Sequence, residues 1–212
     1  GDNTVNGGAG DDVIVLSSNV GAGAAVGNID TLVMDAGDFG NDVVVHFDVE
    51  TITTVDVNGN ANNDEVAQDV LSFEFLDNMT SATNSTVSAV RIDGTVAAGI
   101  GAITENSVLT IDLGLLTATT FETITEANLL TDLNGAGFDG TLAANTVGTT
   151  GKAIIMVEDD GNGAGGVDNA GHYNVYEVTY TDVAGAFVAT DVNLAGSLDF
   201  GEALTLADAN II

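Results

Sequence analysis

Nine residues near the start of the chain constrain its fold more than any other feature: Gly7-Gly8-Ala9-Gly10-Asp11-Asp12-Val13-Ile14-Val15. Glycines at three of the first four positions allow a tight turn with inward-pointing carbonyls, and the β-branched residues that follow favour a short strand. Each defined position fits the nonapeptide G-G-x-G-x-D-x-U-x. A turn so composed presents backbone carbonyls and a carboxylate, all hard oxygen ligands.

The phase recurs on both sides. Counting back nine residues sets Gly1 under Gly10, Asn3 under Asp12 and Val5 under Ile14, so the chain is expected to open inside a preceding repeat, cut from a longer protein. Counting forward, Asp30-Thr31-Leu32-Val33 shares the phase of Asp12-Val13-Ile14-Val15, with Gly21 at the intervening ligand position. After a three-residue slip, Gly37-Asp38-Phe39-Gly40-Asn41-Asp42-Val43-Val44-Val45 matches again, except that Asp38 replaces the second glycine. With two repeats per coil, residues about eighteen apart are expected to stack on one side. Asp12 and Asp30 then face one ion, while Asn3, Gly21 and Asp42 form a weaker opposite row. The candidate ligands are the side chains of Asn3, Asp11, Asp12, Asp30 and Asp42, with the turn backbone at Gly7, Ala9, Gly10, Gly37, Phe39 and Gly40.

Over roughly residues 1–48 the chain resembles the repeats-in-toxin, or hemolysin-type, calcium-binding family. The resemblance implies a short parallel β-roll that binds calcium in its turns, is unfolded where calcium is scarce, and folds after export by type I secretion machinery. Gly21 departs from the pattern by lacking the ligand, and residues 25–29 lack the glycines.

Charge points to the same ion independently. The chain carries 32 Asp and Glu against two basic residues, Lys152 and Arg91, for a formal charge of -30. Self-repulsion on this scale opposes compaction and internal salt bridges can relieve almost none of it. Hard divalent cations neutralise carboxylates most directly, and calcium at extracellular levels is the natural candidate. The same balance excludes nucleic acid and anionic membrane surfaces, which need clustered Lys or Arg. No apolar stretch of about eighteen residues occurs, so membrane insertion is not expected. Without cysteine the chain forms neither disulfides nor a thiolate site.

The 27 glycines, the absence of proline and the abundance of Val, Thr, Asn and Asp predict a mainly β protein. The expected division is a β-roll over residues 1–48 and a β-rich, β-sandwich-like domain with one short helix over 49–212. Val44-Val45-His46-Phe47-Asp48 followed by Asp69-Val70-Leu71-Ser72-Phe73-Glu74-Phe75-Leu76 looks like the end of the array in exported proteins of the family, including the C-terminal domain of serralysin-type proteases. Between them, residues 56–65 read as a solvated Asn-rich loop or as a looped calcium site that departs from an EF-hand. Strands are predicted around 108–113, 153–157, 173–180, 187–194 and 196–200, the second and third joined by an acidic glycine loop. A capping box of Thr123 and Glu126 predicts a helix with Ile124, Ala127, Leu130 and Leu133 on one face, ended near Gly135. The last residues resemble the endings of type I exported proteins, which implies an uncleaved export signal there.

No catalytic constellation is legible. The chain has two histidines, His46 and His172, and no H-E-x-x-H, G-x-S-x-G or phosphate-binding glycine loop with lysine. An enzyme is therefore not expected. The favoured reading is a calcium-binding extracellular structural protein that self-assembles as a homo-oligomer, surface layer or filament at the bacterial cell surface. The alternative is the C-terminal folding and secretion cassette of a larger exoenzyme or adhesin.

Overall fold

The computed structural model describes residues 2–16, 29–34, 38–47, 69–73, 88–92, 107–112, 116, 121–135, 150–159, 171–183, 186–201 and 206. Across them the protein is mainly β, with ten strands in two sheets and one α-helix among the described residues. The expected class and the single helix hold.

The first five strands are short and alternate between the sheets. β1 (Thr4–Asn6), β3 (Thr31–Met34) and β5 (Val70–Phe73) form one sheet, all parallel, with Val5, Leu32 and Leu71 in register. β2 (Val13–Val15) and β4 (Gly40–Val45) pair in parallel at the edge of the other, with Ile14 opposite Val44. Alternation of side chains explains why three-residue strands suffice. Ile14 and Val44 point inward to share a core with Leu32 and Leu71 from the facing sheet, whereas Val13 and Val15 point outward and are 72% and 63% exposed.

The larger sheet continues in the order β2-β4-β10-β9-β8-β7-β6. Its remaining strands are β6 (Ser88–Ile92), β7 (Ser107–Asp112), β8 (Thr150–Glu158), β9 (His172–Val183) and β10 (Ala186–Asp199). β9 runs antiparallel to both β8 and β10, β6 and β7 add in parallel beside β8, and the last residues of β10 lie parallel to β4. The strands expected at 187–194 and 196–200 are thus one bulged strand, irregular between Ala189 and Asp191 and again between Leu194 and Gly196. β5 and β10 both lie beyond residue 48, yet each continues a row begun by the first repeats.

Continuous apolarity in Ala153-Ile154-Ile155-Met156-Val157 follows from a sheet covered on both faces. Ile154 and Met156 join the core between the sheets, while Ala153, Ile155 and Val157 pack on the other face with Tyr176, Val178 and the helix α1 (Glu126–Leu133). Leu129 and Leu133 carry that contact and each contributes about 1.5–3 kcal/mol by burial.

The helix starts two residues later than its expected cap. Thr125 Oγ1 accepts the Asn128 N–H at 3.2 Å, and residues Phe121–Thr123 form a 3-10 turn. Thr125 is thus the capping residue, and Glu126 Oε1 accepts the Leu194 N–H at 2.9 Å beside the second bulge of β10. Ala127 is exposed and Leu129 takes its place on the buried face. At the far end Asn134 pairs with Ala189 like a strand residue, donating Nδ2–H to the carbonyl and accepting the N–H, both at 2.9 Å.

Candidate metal site

Two rows of side chains run across the stacked turns, at the entrances to strands or, for Asp42, within the first residues of β4. The first row is Asn3, Asp30 and Asp69, just before β1, β3 and β5. Asp30 Oδ1 accepts the Asn3 N–H at 3.0 Å and the Asn3 Nδ2–H at 2.8 Å, and Asp69 Oδ1 accepts the Asp30 N–H at 2.8 Å. Backbone bonds run alongside, from the Thr31 N–H to the Asn3 carbonyl at 2.7 Å and from the Val70 N–H to the Asp30 carbonyl at 3.0 Å. Asp30 and Asp69 are buried.

Asp12 and Asp42 form the second row. The Asp12 N–H donates to Asp42 Oδ1 at 3.0 Å, and the Val43 N–H to the Asp12 carbonyl at 2.9 Å. One residue earlier, Asp11 Oδ1 accepts both the N–H and Nδ2–H of Asn41, at 2.9 and 3.1 Å. The second oxygens of the row behave differently: Asp12 Oδ2 and Asp42 Oδ2 are buried and have no hydrogen-bond partner. Asp12 Oδ2 folds back over its own turn, only 3.0 Å from where a Cβ on Gly7 would stand. Asp42 is 2% exposed; burial pushes its carboxyl above the ordinary 3.8, opposed by the Asp12 N–H bond and reinforced by the charges of Asp12 and Asp11.

Hydrocarbon closes this row. The end of β10 sets Gly196, Ser197 and Leu198 against Gly40, Asn41 and Asp42, so Leu198 occupies the layer next to the Asp42 carboxylate. Ser197 Oγ meets Asn41 Oδ1 at 2.9 Å. Backbones approach closely here, since a Cβ on Gly196 would lie 2.3 Å from the Gly40 carbonyl oxygen and 2.5 Å from the Phe39 ring.

The expected partners are therefore exchanged. Asp30 stacks on Asn3 and under Asp69, and Asp42 stacks on Asp12; Asp12 and Asp30 do not share a side. The reason is coil length: β1 pairs directly with β3 and β2 with β4, so partner residues lie 27 and 30 positions apart, not eighteen. Gly21 and Gly37 lie outside the described residues, as do residues 56–65 and the loop after Asp159. Among the other candidates, Ala9 and Asp11 are exposed on the turn, Gly10 and Gly40 adopt positive φ, and Phe39 is buried in the core with its N–H donated to Ala195.

Several site residues escaped the nine-residue count. Asn6 Oδ1 accepts the Gly8 N–H at 2.8 Å and shapes the turn, and Asp2 Oδ1 accepts the Ile29 N–H at 3.1 Å. Asp69 and Leu198 complete the rows. The signal that finds them is short and not evenly spaced: Asn3-Thr4-Val5, Asp30-Thr31-Leu32 and Asp69-Val70-Leu71 in one row, Gly10-Asp11-Asp12, Gly40-Asn41-Asp42 and Gly196-Ser197-Leu198 in the other.

Among the described residues no three acidic or histidine side chains gather into a ready-made metal cage. A cation held by Asp12 and Asp42 would also need backbone carbonyls or water as ligands, as calcium sites commonly use. The orphaned carboxylate oxygens are hard donors of the kind such an ion would take. Comparisons of the chain with protein-family models, with curated proteins and with solved structures find no match.

Proposed function

We propose that the chain is a calcium-binding structural module that works outside the cell, its stacked glycine-aspartate turns forming a short parallel β-roll that the ion completes. The β-sandwich-like remainder then supports and caps the roll. One observation carries the reading: Asp12 Oδ2 and Asp42 Oδ2 are buried without partners in adjacent turns of a chain whose net charge is -30. An unpaired buried charge costs several kcal/mol, about 3–5 where one partner of a buried pair is removed. The chain has only two basic side chains to offer. A hard dication meets the need, and calcium accepts the flexible oxygen geometry that a glycine turn provides.

Assembly follows from the same charge balance. Copies this acidic repel one another, and bound calcium lowers that repulsion while leaving the edge strands β1 and β2 with pairing capacity. We therefore read the module as part of a homo-oligomeric surface layer or filament built after export by type I secretion machinery. The folding and export cassette is the second reading, favoured by the way the end of β10 completes the row begun by the first repeats.

Calorimetric titration of the metal-stripped chain with calcium, followed by light scattering, tests the proposal. Saturable calcium binding is expected, with oligomers that persist in moderate sodium chloride and dissociate in chelator. No calcium heat removes the reading, and assembly in sodium chloride plus chelator reduces it to charge screening. A calcium-bound monomer favours the cassette.

A further inference from the structure

We infer that the demand for a cation is confined to one side of the stacked turns: the Asp12–Asp42 row takes the ion, and the Asn3–Asp30–Asp69 row closes without one. The inference rests on the calcium reading above and goes beyond it, because the repeat phase sets Asp12 and Asp30 on the same, stronger side, whereas they lie in different rows.

Burial does not distinguish the rows, since Asp30, Asp42 and Asp69 are 1%, 2% and 0% exposed. Hydrogen bonding does. Where an ion would sit on Asp30, the side-chain amide of Asn3 already donates at 2.8 Å and its backbone N–H at 3.0 Å. Asp69 in turn receives the Asp30 N–H. Asparagine at the first position supplies two N–H donors and no added negative charge, so it stabilises the Asp30 carboxylate by hydrogen bonding. Among the described residues, the buried side-chain oxygens left without a partner belong to Asp12 and Asp42 alone.

Electrostatics separates the rows further. Asp42 faces the charges of Asp12 and Asp11 from the layer below and the hydrocarbon of Leu198 from the layer above. Neither neighbour supplies a side-chain donor. A dication between the two turns would ligate both orphaned oxygens and cancel the repulsion of Asp11, Asp12 and Asp42 at once.

The test compares the full chain with Asp42→Asn, Asp30→Ala and Asp30→Asn, measuring calcium affinity by calorimetry and urea midpoints in calcium and in chelator. Asp42→Asn keeps an oxygen for the Asp12 N–H and removes a repelled charge. Its affinity should fall by at least about tenfold, as fewer charged ligands weaken calcium sites. Its midpoint in chelator should equal or exceed that of the unmodified chain. Asp30→Ala should lower the midpoint in both media with affinity kept within about twofold, as expected of an independent site. Should that variant not fold, Asp30→Asn retains the acceptor for Asn3 and should also keep its affinity. A tenfold loss in either Asp30 variant overturns the inference while leaving calcium binding intact. An unmodified chain that binds no calcium defeats the calcium reading itself and the inference with it.

Discussion

Gly40→Ala probes the contact on which the stacking of turns depends. Gly40 has φ 87°, and a Cβ there would stand 2.5 Å from the Gly10 carbonyl carbon, 2.6 Å from its oxygen and 3.0 Å from its Cα. Left-handed backbone costs an alanine about 1–2 kcal/mol. The steric part adds to it, because Gly10 is backbone and cannot swing aside like a side chain. The layers must separate, which strains the bonds from Asn41 to Asp11 and from Val43 to Asp12. Overpacking of this kind costs about 1–3 kcal/mol more. The sum, about 2–5 kcal/mol, is a large fraction of the stability of an ordinary domain. Gly8→Ala is the matched control: Gly8 also has φ 87°, but nothing lies within 4 Å of its added Cβ. Urea denaturation followed by circular dichroism at fixed calcium gives both values. Gly40→Ala should exceed Gly8→Ala by about 2 kcal/mol; equal losses would mean that the turns do not approach as closely as the stacking requires.

Thr125→Ala should lower stability by about 1 kcal/mol in the same assay by removing the acceptor for the Asn128 N–H. Tyr176 is pushed up to about 12, chiefly by burial, so the unfolded phenol ionises first and stability should fall as pH rises from 10.0 towards 12. Tyr176→Phe should flatten that slope in alkaline denaturation curves. Lys152→Met, which breaks the 2.6 Å pair with Glu177, should change stability by no more than about 1 kcal/mol because Lys152 is partly solvated.

Local chemistry was legible in the sequence and long-range register was not. The glycine-aspartate turn and the strand Val13–Val15 follow from residues 7–15 alone, and β8 and β9 follow from their apolar and alternating runs. Coil length did not follow, because counting in nines assumes that each turn has the same size. The connection from Val15 to Thr31 is longer than the six-residue turn from Asn6 to Val13, which moves Asp30 to the other row. Leu198 meets Asp42 across more than 150 positions of chain, a separation over which periodicity carries no information. The helix was visible as an apolar face, but Glu126 has two possible partners in sequence terms, and only the bulge at Leu194 decides between them.

Under the proposed function, the buried Asp12 and Asp42 oxygens that lack partners make the folded state depend on calcium. Hydrodynamic radius and urea midpoint, followed from excess chelator to millimolar calcium at constant ionic strength, test it most directly. A ligand held only by the folded state stabilises by about 2.7 kcal/mol at a hundredfold excess over its Kd. Calcium should give a more compact chain and a midpoint that rises in that proportion, while magnesium does less because its rigid octahedral shell suits the glycine turn poorly. A radius and midpoint in chelator identical to those in calcium would contradict it.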